Sequence, residues 1–196
     1  MDVLGALYQG QRDLARRLAD EADRLTLPEA AALDEVDRVR ELLDEGAGAD
    51  ARTLDGFTPL HLAAFFGAPR VAALLLARGA DPGAIADNPM RVQPLHSAAA
   101  GRHDDIAALL IEAGADVNAR QQAGYTPLQA AAANGDVGLV RALLKAGADA
   151  SHTNDAGTSA ADLAAERGHH DLAADLRTAR TGTAADPRPP ASPAAR

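Results

Sequence analysis

The sequence predicts an all-α fold, a solenoid of helix-turn-helix pairs joined by loop or β-turn fingers. Three observations carry this. The phrase Asp55-Gly56-Phe57-Thr58-Pro59-Leu60-His61-Leu62-Ala63-Ala64 returns three times in step, a leucine-rich second phrase keeps the same spacing, and aromatic residues make up only 3% of the chain. Strand formers are scarce, and a core built from alanine and leucine needs helices that approach closely.

The copies of the first phrase are Pro94-Leu95-His96-Ser97-Ala98-Ala99, then Gly124-Tyr125-Thr126-Pro127-Leu128-Gln129-Ala130-Ala131, then the worn Gly157-Thr158-Ser159-Ala160-Ala161-Asp162-Leu163-Ala164. Pro59 to Pro94 is 35 residues, and the intervals to Pro127 and to Ala160 are 33 each. The second phrase reads Leu74-Leu75-Leu76-Ala77-Arg78-Gly79-Ala80-Asp81 and recurs at Leu109–Asp116 and Leu143–Asp149. Phased self-similarity at this period marks a repeat architecture.

Each position in the phrase has a physical reason. Thr58 is placed to cap the first helix, its hydroxyl accepting from a free N–H of the first turn. Pro59 takes the first helical position, where a missing N–H costs nothing. His61 stands three residues after the cap and reaches back to it, as Gln129 does to Thr126 and Asp162 to Ser159. Leu60, Ala63 and Ala64 form a narrow apolar stripe. The second helix carries the leucines over about Val71 to Ala77, and Gly79 stops it.

This pattern resembles the ankyrin repeat, whose period and Thr-Pro-Leu-His phrase it shares over roughly residues 22 to 176. The resemblance implies an array at 22–177, with repeats near 22–54, 55–89, 90–122, 123–155 and 156–177. Residues 1–21 then form an N-terminal helical cap or degenerate repeat, a helical pair broken near Gly10. In the first repeat Leu27, Ala30 and Ala31 match the first helix, with Thr26 read in the proline position. End repeats expose one face and are expected to be more polar, as Glu166, Arg167, His169, His170, Asp171 and Asp175 are. Residues 178–196, with Pro187-Arg188-Pro189-Pro190, read as a disordered tail.

Several function classes recede. The formal charge is −9, against a nucleic-acid or anionic-membrane role. Cysteine is absent, which removes disulfides, thiolate metal sites and a cysteine nucleophile. The N-terminus shows no secretory signal, and no apolar run reaches the length of a membrane span. Lys145 is the single lysine, arginine supplying every other basic side chain, which points to a GC-rich, bacterial-type source. His61 and His96 have capping roles, and His103 and His169 follow the inter-helix turn, so the repeat explains them without a metal. Neither a P-loop nor a nucleophile elbow occurs. The expectation is a cytoplasmic, monomeric, non-enzymatic protein without a cofactor. An enzyme or small-molecule binder would instead require a deep polar pocket with a perturbed ionisable group.

The resemblance implies that a protein partner would meet the finger tips and the exposed side of the first helices. The register puts Leu54, Phe57, Phe65 and Phe66 there, then Pro89, Met90 and Val92, then Gln122, Tyr125 and Asn134. All three phenylalanines of the chain are in this set. Two roles are open to them: anchors for a partner, or packing against Leu33 and the N-terminal cap. Ile85–Val92 is a longer, atypical finger, with Gln93 in place of the capping threonine. A second reading makes the chain a structural or regulatory subunit of a larger complex, tethered by its tail.

Overall fold

A computed structural model describes residues 1–22 and 24–182. The N-terminal pair is α1 (Val3–Tyr8) and α2 (Arg12–Glu21). The repeat pairs follow: α3 (Leu27–Ala32) with α4 (Val36–Asp44), α5 (Pro59–Phe66) with α6 (Pro69–Ala77), and α7 (Pro94–Gly101) with α8 (Asp104–Glu112). Then come α9 (Pro127–Ala133) with α10 (Val137–Lys145), and α11 (Ala160–Glu166) with α12 (His170–Gly182). Among the described residues no strand is present beyond one isolated antiparallel bridge, Thr153 to Ser159. The all-α solenoid of the sequence reading is the observed architecture.

The first helices α3, α5, α7, α9 and α11 pack on one another in series, and the second helices α4, α6, α8 and α10 form a parallel series behind them. One apolar cluster threads both series from Leu27 to Leu176, through Leu60, Leu75, Leu95, Ile106, Leu110, Leu128 and Leu143. Alanine makes this possible: Ala63, Ala64, Ala98, Ala99, Ala131 and Ala132 are fully buried where neighbouring helices meet. The N-terminal pair has its own cluster, in which Val3, Ala6, Leu7 and Ala15 meet Ala32, Leu33 and Leu62.

Two readings of the chain need correction. Thr26 is not in a proline position. It is the N-cap of α3 and forms a capping box with Glu29, so the first repeat is shifted by one residue from the register assigned to it. The misleading signal is the match of Leu27, Ala30 and Ala31 to Leu60, Ala63 and Ala64, which runs one residue out of step with the caps Thr26 and Thr58. The second concerns residues 178–182, assigned to the tail but placed here in α12, which continues to Gly182. The proline-rich stretch 187–193 lies outside the described residues.

The fingers are hairpin turns closed by backbone bonds: Thr53 N–H to Phe57 O at 2.9 Å, Ala86 to Val92 at 2.8 Å, Gln121 to Tyr125 at 2.9 Å and Asn154 to Thr158 at 3.0 Å. Each is tied to the next. Asp87 N–H donates to Gly56 O at 3.0 Å, Gln122 N–H to Met90 O at 2.9 Å and Asp155 N–H to Ala123 O at 3.0 Å. Gly56 is required twice over: its φ is +79°, and a Cβ there would stand 2.3 Å from the Asp87 carbonyl oxygen. The long second finger has no glycine at its tip. Arg91 takes a left-handed φ of +51°. The Asn88 side chain holds that turn, its Oδ1 accepting from Met90 N–H at 3.0 Å and its Nδ2 donating to Asp55 O at 2.8 Å.

Candidate interaction groove

Helices α5 and α7 end their inner faces in exposed or half-exposed residues, and the first two fingers arch over them. The space between is a cavity of about 390 Å³. Phe57, Met90 and Val92 line it from the fingers, and His61, Leu62, Phe65, His96, Ser97 and Ala100 from the helices. Gln121 and Ala130 close it on the side of the next repeat, and Tyr8 on the side of the N-terminal pair.

The rings on the Tyr8 side form a small stack. Phe65 and Phe66 meet edge to face at 5.1 Å, and Tyr8 lies 5.3 Å from Phe66 and 6.5 Å from Phe65, centroid to centroid. Such aromatic pairs contribute about 0.5–1.5 kcal/mol beyond the area they bury. Phe66 packs into the N-terminal cluster, whereas Phe65 remains 40% exposed and faces the cavity. Phe57 does both, resting on that cluster while its ring stands 5.8 Å from the His61 imidazole. Arg12 of α2 adds a hydrogen bond to the Phe66 carbonyl, fastening the pair to the end of α5. Packing on the N-terminal pair thus falls to Phe66 and in part to Phe57, while Phe65 stays exposed at the cavity.

Burial holds both histidines of the cavity neutral. His61 Nδ1 accepts from Thr58 N–H at 3.2 Å, which leaves Nε2–H to donate to Val92 O at 3.0 Å. His96 repeats this, accepting from Gln93 N–H at 3.2 Å and bonding to Tyr125 O at 3.3 Å. Desolvation pushes each imidazole down to about 4, against the smaller upward pull of those carbonyls. A neutral imidazole with both nitrogens engaged is a structural link and a poor general base. Gln93 itself is an imperfect cap: its Oε1 is buried without a partner among the described residues.

The remaining sequence-selected residues spread around the cavity. Leu54, at the first finger tip, is fully exposed at 108%, and Met90 is 47% exposed. Pro89 and Gln122 are exposed on the second and third fingers, and Tyr125 is half-buried at the base of the third. Asn134 serves the stack, donating its amide to Ala99 O at 3.0 Å. The sequence reading missed Tyr8. The signal was available, since Tyr8 and Tyr125 are the only tyrosines and Tyr8 ends a short apolar helix, but nothing in the repeat period says that α1 docks on α3. Among the described residues no group of three or more metal-ligating side chains occurs, and no helix is long and apolar enough to cross a membrane.

The family model for ankyrin repeats matches this chain in three overlapping stretches, residues 4–86, 27–121 and 95–182. Among curated proteins, the mouse (Mus musculus) "Nuclear factor NF-kappa-B p105 subunit" is 58% identical over 41 residues, which is 21% of this chain and 4% of that relative. The chain therefore spans only a small fraction of the relative's length.

Proposed function

Because the chain belongs to the ankyrin-repeat family, we propose that it is a non-enzymatic protein-interaction module whose partner docks in the groove and on the finger tips. Ankyrin repeats are generally modules of this kind. One observation carries the reading for this chain: Leu54, Phe65 and Met90 are exposed apolar side chains gathered at one end of the inner face, two of them lining an open apolar cavity. Exposed apolar surface grouped in this way marks docking sites. The backbone-bonded fingers supply a preformed frame, so little conformational entropy is lost on docking. The two imidazoles of the groove are neutral and already bonded at both nitrogens, and burial holds the Tyr8 hydroxyl protonated, which supports binding over catalysis. A cytoplasmic monomer that works through its partner, without a cofactor, is the simplest form of this reading.

The test uses the exposed residues, since Phe57 and Phe66 also support the fold. A Leu54→Ser/Phe65→Ser/Met90→Ser variant is expected to keep its helical circular dichroism and to lose proteins captured from a source-cell lysate by the wild type. Unchanged capture by the folded variant would remove the groove from consideration and point to the residues beyond 182.

A further inference from the structure

The groove cavity is uncharged, but its mouth is not. Its lining is mostly aromatic and aliphatic, with two neutral histidines and the uncharged Ser97 and Gln121, and includes no carboxylate, lysine or arginine among the described residues. A charged group entering it would lose its water without a partner, so the walls select an uncharged side chain. A volume of about 390 Å³ is at the small end for ligand sites. One large side chain with its adjoining backbone suits it better than a cofactor.

Asp55 and Asp87 stand at the tips of the first two fingers, both exposed and tied together by the Asp87–Gly56 backbone bond. Among the described residues neither carboxylate forms an ion pair. Burial raises the Tyr8 hydroxyl from its ordinary value and the Asp55 carboxylate raises it further, so the negative field of Asp55 reaches the cavity wall. Of the finger arginines, Arg52 donates to Gly56 O and Ile85 O, at 3.0 and 2.8 Å, and Arg91 is exposed beyond Asp87. The chain as a whole carries −9.

Building on the interaction reading above, we propose that the groove receives one bulky uncharged side chain, aromatic or long aliphatic, from a protein segment that bears arginine or lysine directly beside it, the basic neighbour pairing with Asp55 and Asp87. The apolar anchor provides the hold, and the flanking charge provides selectivity and a faster encounter that salt weakens.

The protein has no tryptophan, so the indole emission of a peptide reports binding without background. The probes are acetyl-Gly-Ser-Arg-Trp-Arg-Ser-Gly-amide and its Glu-Trp-Glu counterpart, titrated with the full chain. The expected result is a saturable blue shift with the basic peptide, at least tenfold weaker binding of the acidic one, and loss of that difference at high salt. Asp55→Asn/Asp87→Asn should bring the two peptides within about threefold of each other. Ala100→Phe, at an exposed position of α7 that faces the cavity, should abolish the blue shift while leaving thermal unfolding unchanged. Equal binding of both peptides, no binding of either, or a blue shift that survives Ala100→Phe would overturn the proposal. A lysate protein still lost on Leu54→Ser/Phe65→Ser/Met90→Ser, alongside an inert basic peptide, would sink this occupant and leave the interaction reading standing.

Discussion

The inner repeats and the outer repeats solve the same local problem with different chemistry. All five place a side chain three residues after the first-helix cap that accepts from the cap N–H: Glu29, His61, His96, Gln129 and Asp162. In the three inner repeats that side chain also owns an N–H. His61 donates it to Val92 O, His96 to Tyr125 O and Gln129 to Thr158 O, each the carbonyl just before the next repeat's cap. Glu29 and Asp162 are carboxylates and have nothing to donate. The inner residue is therefore a rivet between repeats, whereas the outer one caps its own helix, and Asp162 also pairs with Arg177 at 3.9 Å. A glutamine and a neutral histidine are interchangeable here because both present one acceptor and one donor.

Acid should separate the two groups most strongly. An unfolded histidine titrates near 6.5, whereas folded His61 and His96 are held down to about 4. The unfolded chain thus takes up protons first as pH falls. The contribution is complete above about 6.5, shrinks between about 6.5 and about 4, and is level below that, at a loss of up to about 3 kcal/mol per histidine. Urea unfolding of His61→Gln/His96→Gln across this range should show a clearly flatter profile than wild type. Parallel profiles would mean the imidazoles are not the acid-sensitive links.

A second test turns a rivet into a cap. Gln129 is 1% exposed, so Gln129→Glu would leave the Thr158 carbonyl without its donor and set a buried carboxylate beside it. A loss of about 3–5 kcal/mol at neutral pH is expected, recovering in part as the carboxyl protonates. The smallest effect comes from the opposite exchange. By repeat register the carbonyl facing Glu29 is that of Phe57, immediately before the Thr58 cap. Glu29→Gln should gain a bond to it and stabilise the chain by about 1 kcal/mol in the same assay. A destabilised Glu29→Gln would show that the first repeat is spaced differently from the rest.

Much of this was legible in the sequence because it repeats. The capping partnerships at Thr58, Thr126 and Ser159, the buried alanine stripes and the glycine stops follow from positions that recur in phase. The groove was half legible: register placed Phe57, Phe65, Met90 and Val92 on one face, where they line the cavity. What escaped lies where the period ends. Thr26 is misplaced by the apolar match of Leu27, Ala30 and Ala31, which a run of similar alanines satisfies one residue out of step with the cap. Tyr8 was missed because α1 has no counterpart elsewhere in the chain to align with. Asn134, selected for a partner, bonds to Ala99, and Phe66, for which a partner and the N-terminal cap were both open, packs on the terminal pair. Neither partner is specified by helical periodicity, which gives a residue's direction about its own axis and not what stands there.

The terminal pair keeps an apolar cluster separate from the main one, with Leu62 and Leu33 as its footing on the stack. With a small cluster of its own and a narrow footing on α3, this pair opens at a lower free energy than the inner repeats. When α1 and α2 lift away, Tyr8 leaves with them and the groove loses a wall. A guest that leans on Tyr8 therefore acts as a latch. Its binding energy is partly returned as slower amide exchange along α1 and α2, and any lesion that loosens that pair would be felt first as weakened affinity, before the fold itself begins to fail.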